Sequence, residues 1–190
     1  MGRSFANLHI KSKDLKKTIG ALRKLSEEHP EVLGKPKNEA QEFKVTMYVS
    51  KSNENWISVL HDYLVWGTVK KIGITLSRLI EEPVMTAGYM NEEIFELSMF
   101  KGGDIQAERI FCEPWTRDEY GLQEERLHDD YLRDVLDIHN EDFDDFIGIT
   151  SPEQAVDKLS ELVSMSIWSD WEWIPYEETL QKRYVKYEFC

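Results

Sequence analysis

Carboxylate side chains are concentrated in one stretch of the chain, from Asp118 to Asp145. This stretch holds 12 acidic and 2 basic side chains, and residues 113–190 hold 21 acidic and 7 basic ones, in a chain of 190 residues with a formal net charge of −13. Oxygen ligands at such density are what a calcium or magnesium site uses. They are also what a basic protein would meet on approach. The stretch is therefore the first candidate for chemistry.

Spacing decides between a metal site and a charged surface. A calcium-binding loop that began at Asp142 would place Phe146 where an oxygen ligand is required. Asp130, Asp134 and Asp137 could offer three carboxylates at helical spacing. Runs of like charge, however, more often form a solvated surface than a metal site. The sequence therefore predicts no metal and no cofactor.

Side chains for acid–base or nucleophilic catalysis are sparse. His61 and Asp62 are adjacent, and adjacent side chains in a strand point to opposite faces of the sheet, so we expect no catalytic pair there. Cys112 lies beside Glu113, and a nearby anion raises the pKa of a thiol. The sequence contains no G-x-S-x-G and no phosphate-binding glycine loop before a helix. It therefore predicts no catalytic residue.

Aromatic side chains interleaved with carboxylates indicate a binding surface near residue 170. Trp168, Trp171 and Trp173 alternate with Asp170 and Glu172. Tryptophan often anchors protein interfaces, although packing into the core is the commoner role. We predict that a basic protein partner is held by a set of aspartates and tryptophans: Asp129, Asp130, Asp134, Asp137, Trp168, Trp171 and Trp173.

The charge balance argues against nucleic acid and anionic membranes as partners, because an acidic chain repels both. One basic grouping exists, and we expect it to meet the chain's own acidic half or a partner's carboxylates. It consists of Lys11, Lys13, Lys16, Lys17, Arg23 and Lys24. No apolar run approaches the ~20 residues of a membrane span. Two cysteines, Cys112 and Cys190, form no disulfide framework, so we expect a cytoplasmic protein. The first residues contain no apolar segment, so we expect no secretory signal.

Hydrophobic periodicity predicts the elements of the first 111 residues. A half-buried strand is expected over Phe5–Lys11, with Asn7 and His9 on its polar side, and Ser12 is expected to cap the next helix. Glycines and polar residues predict the turns. The remaining elements are a loop over His29–Glu39, a hairpin over Phe43–Val49 and Trp56–Tyr63, a helix over Thr68–Glu81, and strands over Val84–Met90, Glu93–Phe100 and Asp104–Phe111, with turns at Asn91–Glu92 and Gly102–Gly103.

Capping signals predict helices beyond residue 113. Thr116 and Glu119 have capping-box spacing, with Trp115 and Tyr120 at the spacing of a hydrophobic staple. That helix is expected to break at Gly121 and to resume as far as Ile138. A second helix is expected from Ser151, with Pro152 at its first position, to about Met165. The tail that follows is rich in tryptophan, and its alternation around Trp171–Trp173 and Tyr184–Tyr187 predicts short strands.

Together these elements predict an α+β fold. A mixed or antiparallel sheet in the order β-α-β-β-α-β-β-β is followed by C-terminal helices and a Trp-rich tail. Residues 1–190 form a single domain, with a sub-boundary possible near residue 113.

In composition the chain is similar to bacterial immunity and antitoxin proteins as a broad class, which are small, acidic and poor in motifs. This likeness implies a non-enzymatic protein that binds another protein. A small-ligand-binding or enzymatic α+β protein is the first alternative, and a structural or oligomerisation module is the second.

Overall fold

The computed structural model describes residues 3–36 and 44–189, and an antiparallel sheet of seven strands forms its centre. Neighbouring strands follow the order β6-β5-β4-β1-β3-β2-β7. The α+β class is therefore confirmed, and the sheet is antiparallel. The predictions for Phe43 and Cys190 and part of the predicted loop over His29–Glu39 lie outside the described residues. The strands are β1 (Phe5–Ile10), β2 (Val45–Lys51), β3 (Ile57–Leu60), β4 (Val84–Met90), β5 (Ile94–Lys101), β6 (Asp104–Phe111) and β7 (Val185–Phe189).

Helices cover both faces of the sheet. One face packs on α1 and α2, through a core that includes Leu8, Leu22 and Ile72. The other packs on α4, α5 and α6, through a core that includes Phe95 and Phe146. The helices are α1 (Leu15–Glu28), α2 (Val69–Ser77), α3 (Pro114–Tyr120), α4 (Asp129–Leu136), α5 (Asn140–Ile147), α6 (Pro152–Val163) and α7 (Glu178–Arg183), with 3-10 turns over Pro30–Leu33 and Trp171–Trp173.

Strand β1 lies at the centre of the sheet, between β4 and β3. All six of its residues are buried, so the prediction of a half-buried strand is wrong. Asn7 and His9, which were expected to face solvent, are fully enclosed. The reason is the second helical layer, which covers the face that alternation alone assigns to water.

The predicted hairpins are present. β2 pairs with β3, and β4 pairs with β5, which pairs with β6. Gly102 and Gly103 both have positive φ, at 63° and 87°, as a tight two-residue turn requires. Asn91 and Glu92 adopt the same left-handed region at the preceding turn.

Helix starts were predicted less well than turns. Ser151 caps α6 as expected, because its Oγ accepts a hydrogen bond from the backbone N–H of Gln154 at 3.3 Å. The cap of α1 is Asp14 rather than Ser12. α3 begins at Pro114, which precedes the predicted capping box, and it ends at Gly121 as expected. Side-chain caps compete over one or two residues, which spacing alone does not resolve.

The end of the chain differs from the predicted Trp-rich tail. Residues 171–173 form a 3-10 turn rather than a strand, and α7 follows. β7 then pairs with β2, so the predicted strand near Tyr184–Tyr187 is present and belongs to the main sheet. The predicted element order therefore agrees with the structure as far as β6 and only in part beyond it.

No helix within the described ranges is both long and apolar enough to cross a membrane.

Candidate functional site

The four aspartates that were predicted to meet a partner have basic neighbours within the chain. Asp129 accepts a hydrogen bond from Arg109 Nε on β6 at 2.9 Å. Asp137 pairs with Lys11 Nζ at 3.0 Å. Asp130 and Asp134 both pair with Arg133 on the same helix, at 3.3 and 3.2 Å, and their side chains are 81% and 72% exposed. Asp137 is also exposed, at 68% of its side chain, but its partner Lys11 directly follows β1. Asp130 and Asp134 are therefore the two of the four whose only basic partner is a neighbour on their own helix, which is a weak pairing.

The three predicted tryptophans are half-buried packing residues. Trp168 lies 5.1 Å from the Tyr89 ring, and its Nε1–H donates to Asp157 at 2.7 Å. Trp173 packs edge-on against Phe5, at 5.8 Å between ring centroids. These rings close the core over the ends of β1 and β4, and they do not form an exposed aromatic strip.

Asp137 and Trp168 lie near opposite ends of β1. Lys11, which binds Asp137, follows the last residue of β1, whereas Trp168 packs on Phe5, the first residue of that strand. The strand between them spans about 20 Å, at ~3.3 Å per residue. A partner that touched both Asp137 and Trp168 would have to reach along the whole strand.

The basic grouping meets the acidic half of the chain at Lys11. Besides its ion pair with Asp137, Lys11 Nζ donates to the backbone oxygen of Val135 at 2.6 Å. Lys17 pairs instead with Glu82, at the end of the segment after α2. The expectation that this grouping meets the chain's own acidic half therefore holds for Lys11, while Lys17 finds its partner elsewhere.

An exposed aromatic surface lies on α3, at the two residues that have the spacing of a hydrophobic staple. We call Trp115, Asp118, Glu119, Tyr120 and Glu93 the α3 patch. Trp115 is 67% exposed and Tyr120 is 47% exposed. Tyr120 Oη donates to Glu93 at 3.2 Å.

Helical geometry explains the α3 patch. Positions three and four residues apart share one helix face, so Trp115 projects beside Asp118 and Glu119. Arg117 points the other way, where it donates to Glu124 and to the backbone oxygen of Ile110. Arg117 is the one basic side chain of this helix, and it therefore adds no positive charge to the α3 patch.

A cavity of about 170 Å³ lies beside Trp171, at the start of β1. Two tryptophan rings, Trp66 and Trp171, line it together with the carboxylates of Asp62, Asp170 and Glu172. Burial raises the pKa of Asp170 to about 6, although backbone N–H groups bound to its carboxylate oppose the shift. The cavity therefore combines aromatic walls with a buried acid.

A second cavity of about 140 Å³, the adjoining lobe, shares Asp62 and Trp171 with the first and is also lined by His61. His61 is 3% exposed, and burial lowers its pKa. Its Nδ1 accepts a hydrogen bond from the backbone N–H of Tyr63 at 2.9 Å. The neutral ring therefore carries its proton on Nε2.

The expectation that His61 and Asp62 point to opposite faces of a strand is wrong, while the absence of a catalytic pair stays a prediction. Their Nδ1 and Oδ1 atoms lie 3.2 Å apart. β3 ends at Leu60, so both residues sit in a turn, where adjacent side chains can converge. An ion pair would form on protonation of His61.

A buried hydrogen-bonded chain joins Ser58, His9 and Asn7. His9 Nδ1 lies 2.7 Å from Ser58 Oγ, and His9 Nε2 lies 2.6 Å from Asn7 Oδ1. The order of groups is that of a nucleophile, a base and an orienting residue. All three are at most 1% exposed, and burial lowers the pKa of His9 to about 3.

This chain of groups serves the fold. Asn7 Nδ2 donates to the backbone oxygens of Ile167 and Ser169, at 2.8 and 2.9 Å. It thereby fastens the segment before the 3-10 turn to the central strand. Ser58 is only 1% exposed, so a substrate could not reach its hydroxyl without local rearrangement.

A second buried polar network lies between α2 and the sheet. Glu108, only 1% exposed, pairs with Lys70 Nζ at 2.7 Å and accepts a hydrogen bond from Ser98 Oγ at 2.7 Å. Glu125 binds the same Lys70 Nζ at 2.8 Å. Burial raises the pKa of the neighbouring Glu96 to about 7. The alternation of apolar and polar residues along β5 and β6 did not predict that acidic side chains would be buried here.

No group of three histidine, cysteine, aspartate or glutamate side chains converges at metal-binding distances in residues 3–36 and 44–189. Cys112 is buried and unpaired there, and burial raises the pKa of its thiol.

Comparison with known proteins gives no relative: no family model, no curated protein and no solved structure matches the chain.

Proposed function

We propose that this chain is a non-enzymatic binding protein that holds a basic segment of another protein on the α3 patch. The observation that carries this proposal is Trp115, a large aromatic ring left 67% exposed on a helix whose neighbouring exposed side chains are acidic. Exposed tryptophans of this kind are typical anchors of protein interfaces. Carboxylates around such an anchor select a basic partner.

The negative electrostatic potential of the acidic helices α4 and α5 supports the proposal. α5 carries Glu141, Asp144 and Asp145 as exposed side chains without a basic partner among the described residues. Together with Asp130 and Asp134 on α4, they present negative potential to an approaching protein. Exposed charges of this kind raise the association rate more than they hold the complex together.

The partner is to be isolated with the whole chain as bait in extract from the native cell, and identified by mass spectrometry. Surface plasmon resonance with the purified partner then compares variants. Trp115→Ala is expected to weaken binding about 30-fold, mainly through faster dissociation, as for an interface anchor. Tyr176→Ala is the matched control, because Tyr176 is 86% exposed and lies outside the α3 patch.

Variants of the exposed aspartates distinguish side chains that speed association from side chains that hold the complex together. The double variant Asp130→Asn, Asp134→Asn is expected to slow association, with an effect that shrinks at high salt. An acidic partner would contradict the proposal, and so would equal binding by wild type and Trp115→Ala. Loss of binding in Tyr176→Ala alone would move the anchor from α3 to the segment after Trp173.

The alternative of a small-ligand-binding protein has an observation of its own. The cavity beside Trp171 is concave, partly aromatic and lined by a buried acid with a raised pKa, which are common features of ligand sites.

A further inference from the structure

The cavity beside Trp171 carries the side chains that recognise an organic cation. Its walls include the rings of Trp66 and Trp171, and its polar groups include the carboxylates of Asp62, Asp170 and Glu172. Carboxylates bind ammonium and guanidinium groups through charge-assisted hydrogen bonds, and aromatic faces attract the same cations. We propose that this cavity binds a small organic cation, an alkylammonium or alkylguanidinium group.

Asp170 distinguishes this cavity from an ordinary acidic surface. The residue is 7% exposed and lines the cavity, and no basic side chain of the described ranges pairs with it. Backbone N–H groups of Ala6, Trp171 and Glu172 orient its carboxylate without neutralising it. A buried carboxylate without a counter-charge is costly. A bound cation would supply that charge.

Arg3, which is next in sequence to the cavity wall, is engaged elsewhere. Arg3 precedes Ser4, a residue of the cavity wall, but its guanidinium lies 4.4 Å from the centroid of the Trp168 ring and 3.8 Å from Glu92. No basic side chain lines the main cavity itself. The cavity therefore has negative charge and aromatic walls without an internal cation to fill it.

Size and charge restrict the ligand further. About 170 Å³ is less than the ~300–1,000 Å³ of sites for drug-sized molecules, so the ligand is a short chain with one charged head. Lys44 in the adjoining lobe pairs with Glu188, and Lys35, which lines the same lobe, would repel a second positive charge. The cavity is thus expected to prefer a monocation to an α,ω-diamine.

Titration of the whole chain with n-butylguanidinium and n-butylammonium tests the inference. The indole N–H resonances of Trp66 and Trp171, assigned from Trp→Phe variants, report occupancy by nuclear magnetic resonance. Saturable shifts with a dissociation constant of about 1 mM are expected for a ligand with so few atoms. 1-Butanol, the neutral analogue, is expected to give no saturable shift.

Variants test the role of the carboxylates. Asp62→Asn and Asp170→Asn are each expected to weaken binding about tenfold, through loss of a charge-assisted hydrogen bond. Asp144→Asn, an exposed position on α5, is the matched control and should bind as wild type does. If Asp170→Asn fails to fold, Asp62→Asn still decides, because the Asp62 side chain is 58% exposed and its loss spares the core.

Three results would overturn the inference: no saturable shift with either cation, equal shifts with 1-butanol, or unchanged affinity in a folded Asp62→Asn. A capped Gly-Arg-Gly peptide distinguishes the source of the cation. Tighter binding of the peptide than of n-butylguanidinium indicates a protein side chain as ligand, and weaker binding indicates a free small molecule. Both support an organic cation in the cavity.

The inference is independent of the partner on the α3 patch. Trp115 does not line the cavity, so Trp115→Ala should leave cation binding unchanged. Failure of one proposal therefore leaves the other standing.

Discussion

The carboxyl group of Glu96 on β5 is held mostly out of water, with Lys70, Glu108 and Glu125 acting on its charge. Burial raises its pKa to about 7, against a counteracting attraction from Lys70. An acid with a raised pKa binds its proton more tightly in the folded chain than in the unfolded chain. Its contribution to the free energy of unfolding is therefore lost as pH rises from the ordinary value of 4.5 towards 7.

Glu96→Gln should remove this pH dependence. The variant is expected to exceed wild type in free energy of unfolding by about 2 kcal/mol at about pH 8, and to match it at about pH 4. Urea unfolding across this pH range measures the difference. Glu161→Gln, an exposed change on α6, is the control and should follow the wild-type curve. Parallel curves for wild type and Glu96→Gln would show that Glu96 ionises normally.

The packing of an individual helix depends on close contacts with its neighbours as well as on its hydrophobic periodicity. Gly73 on α2 lies so near β4 that an added Cβ would stand 2.5 Å from the Thr86 side chain. Gly20 on α1 has nothing within 4 Å of the same position. Both fit a helical pattern, but only the structure shows which of them serves packing.

Replacement of glycine by alanine is expected to have opposite effects on stability at these two positions. Gly73→Ala should destabilise the chain by about 1–3 kcal/mol, because α2 must move away from the sheet. Gly20→Ala should stabilise it by about 0.5–1 kcal/mol, because alanine restricts the unfolded chain and favours the helix. Denaturant midpoints of the two variants give both values. A stabilised Gly73→Ala would mean that the helix and the sheet can separate at little cost.

Local chemistry explains which elements could be predicted from sequence. Gly102–Gly103 needs positive φ, and Ser151 with Pro152 starts a helix, wherever the rest of the chain lies. The burial of the second face of β1 depends on helices more than a hundred residues away, α4, α5 and α6. The cavity beside Trp171 likewise joins Asp62 to Asp170, and neither residue carries a local signal of the other.

At the scale of the whole molecule, the net charge of −13 is unevenly distributed. Exposed carboxylates on α5 have no basic partner among the described residues, whereas Asp129 and Asp137 are paired with Arg109 and Lys11. Repulsion within the acidic helices therefore opposes the folded state. A few good ion pairs offset part of it.

The salt dependence of the melting temperature should show whether charge repulsion or the ion pairs contribute more to the stability of the chain. Raising sodium chloride from about 20 mM to about 300 mM screens exposed repulsion, and we expect the melting temperature to rise by about 2–4 °C. The double variant Asp144→Asn, Asp145→Asn should melt higher than wild type at low salt and respond less to salt. A melting temperature that falls with salt would show that the ion pairs outweigh the repulsion.

The hydrogen bonds from Asn7 to Ile167 and Ser169 join residues 160 and 162 positions apart. Contacts of such sequence separation make folding slow, because the entropy of closing a long loop is lost before the contact forms. The pairing of β2 with β7 likewise joins residues that are far apart in the sequence. Until those late contacts form, β2 presents an unpaired strand edge, and a nascent or refolding chain is exposed to association with its own copies.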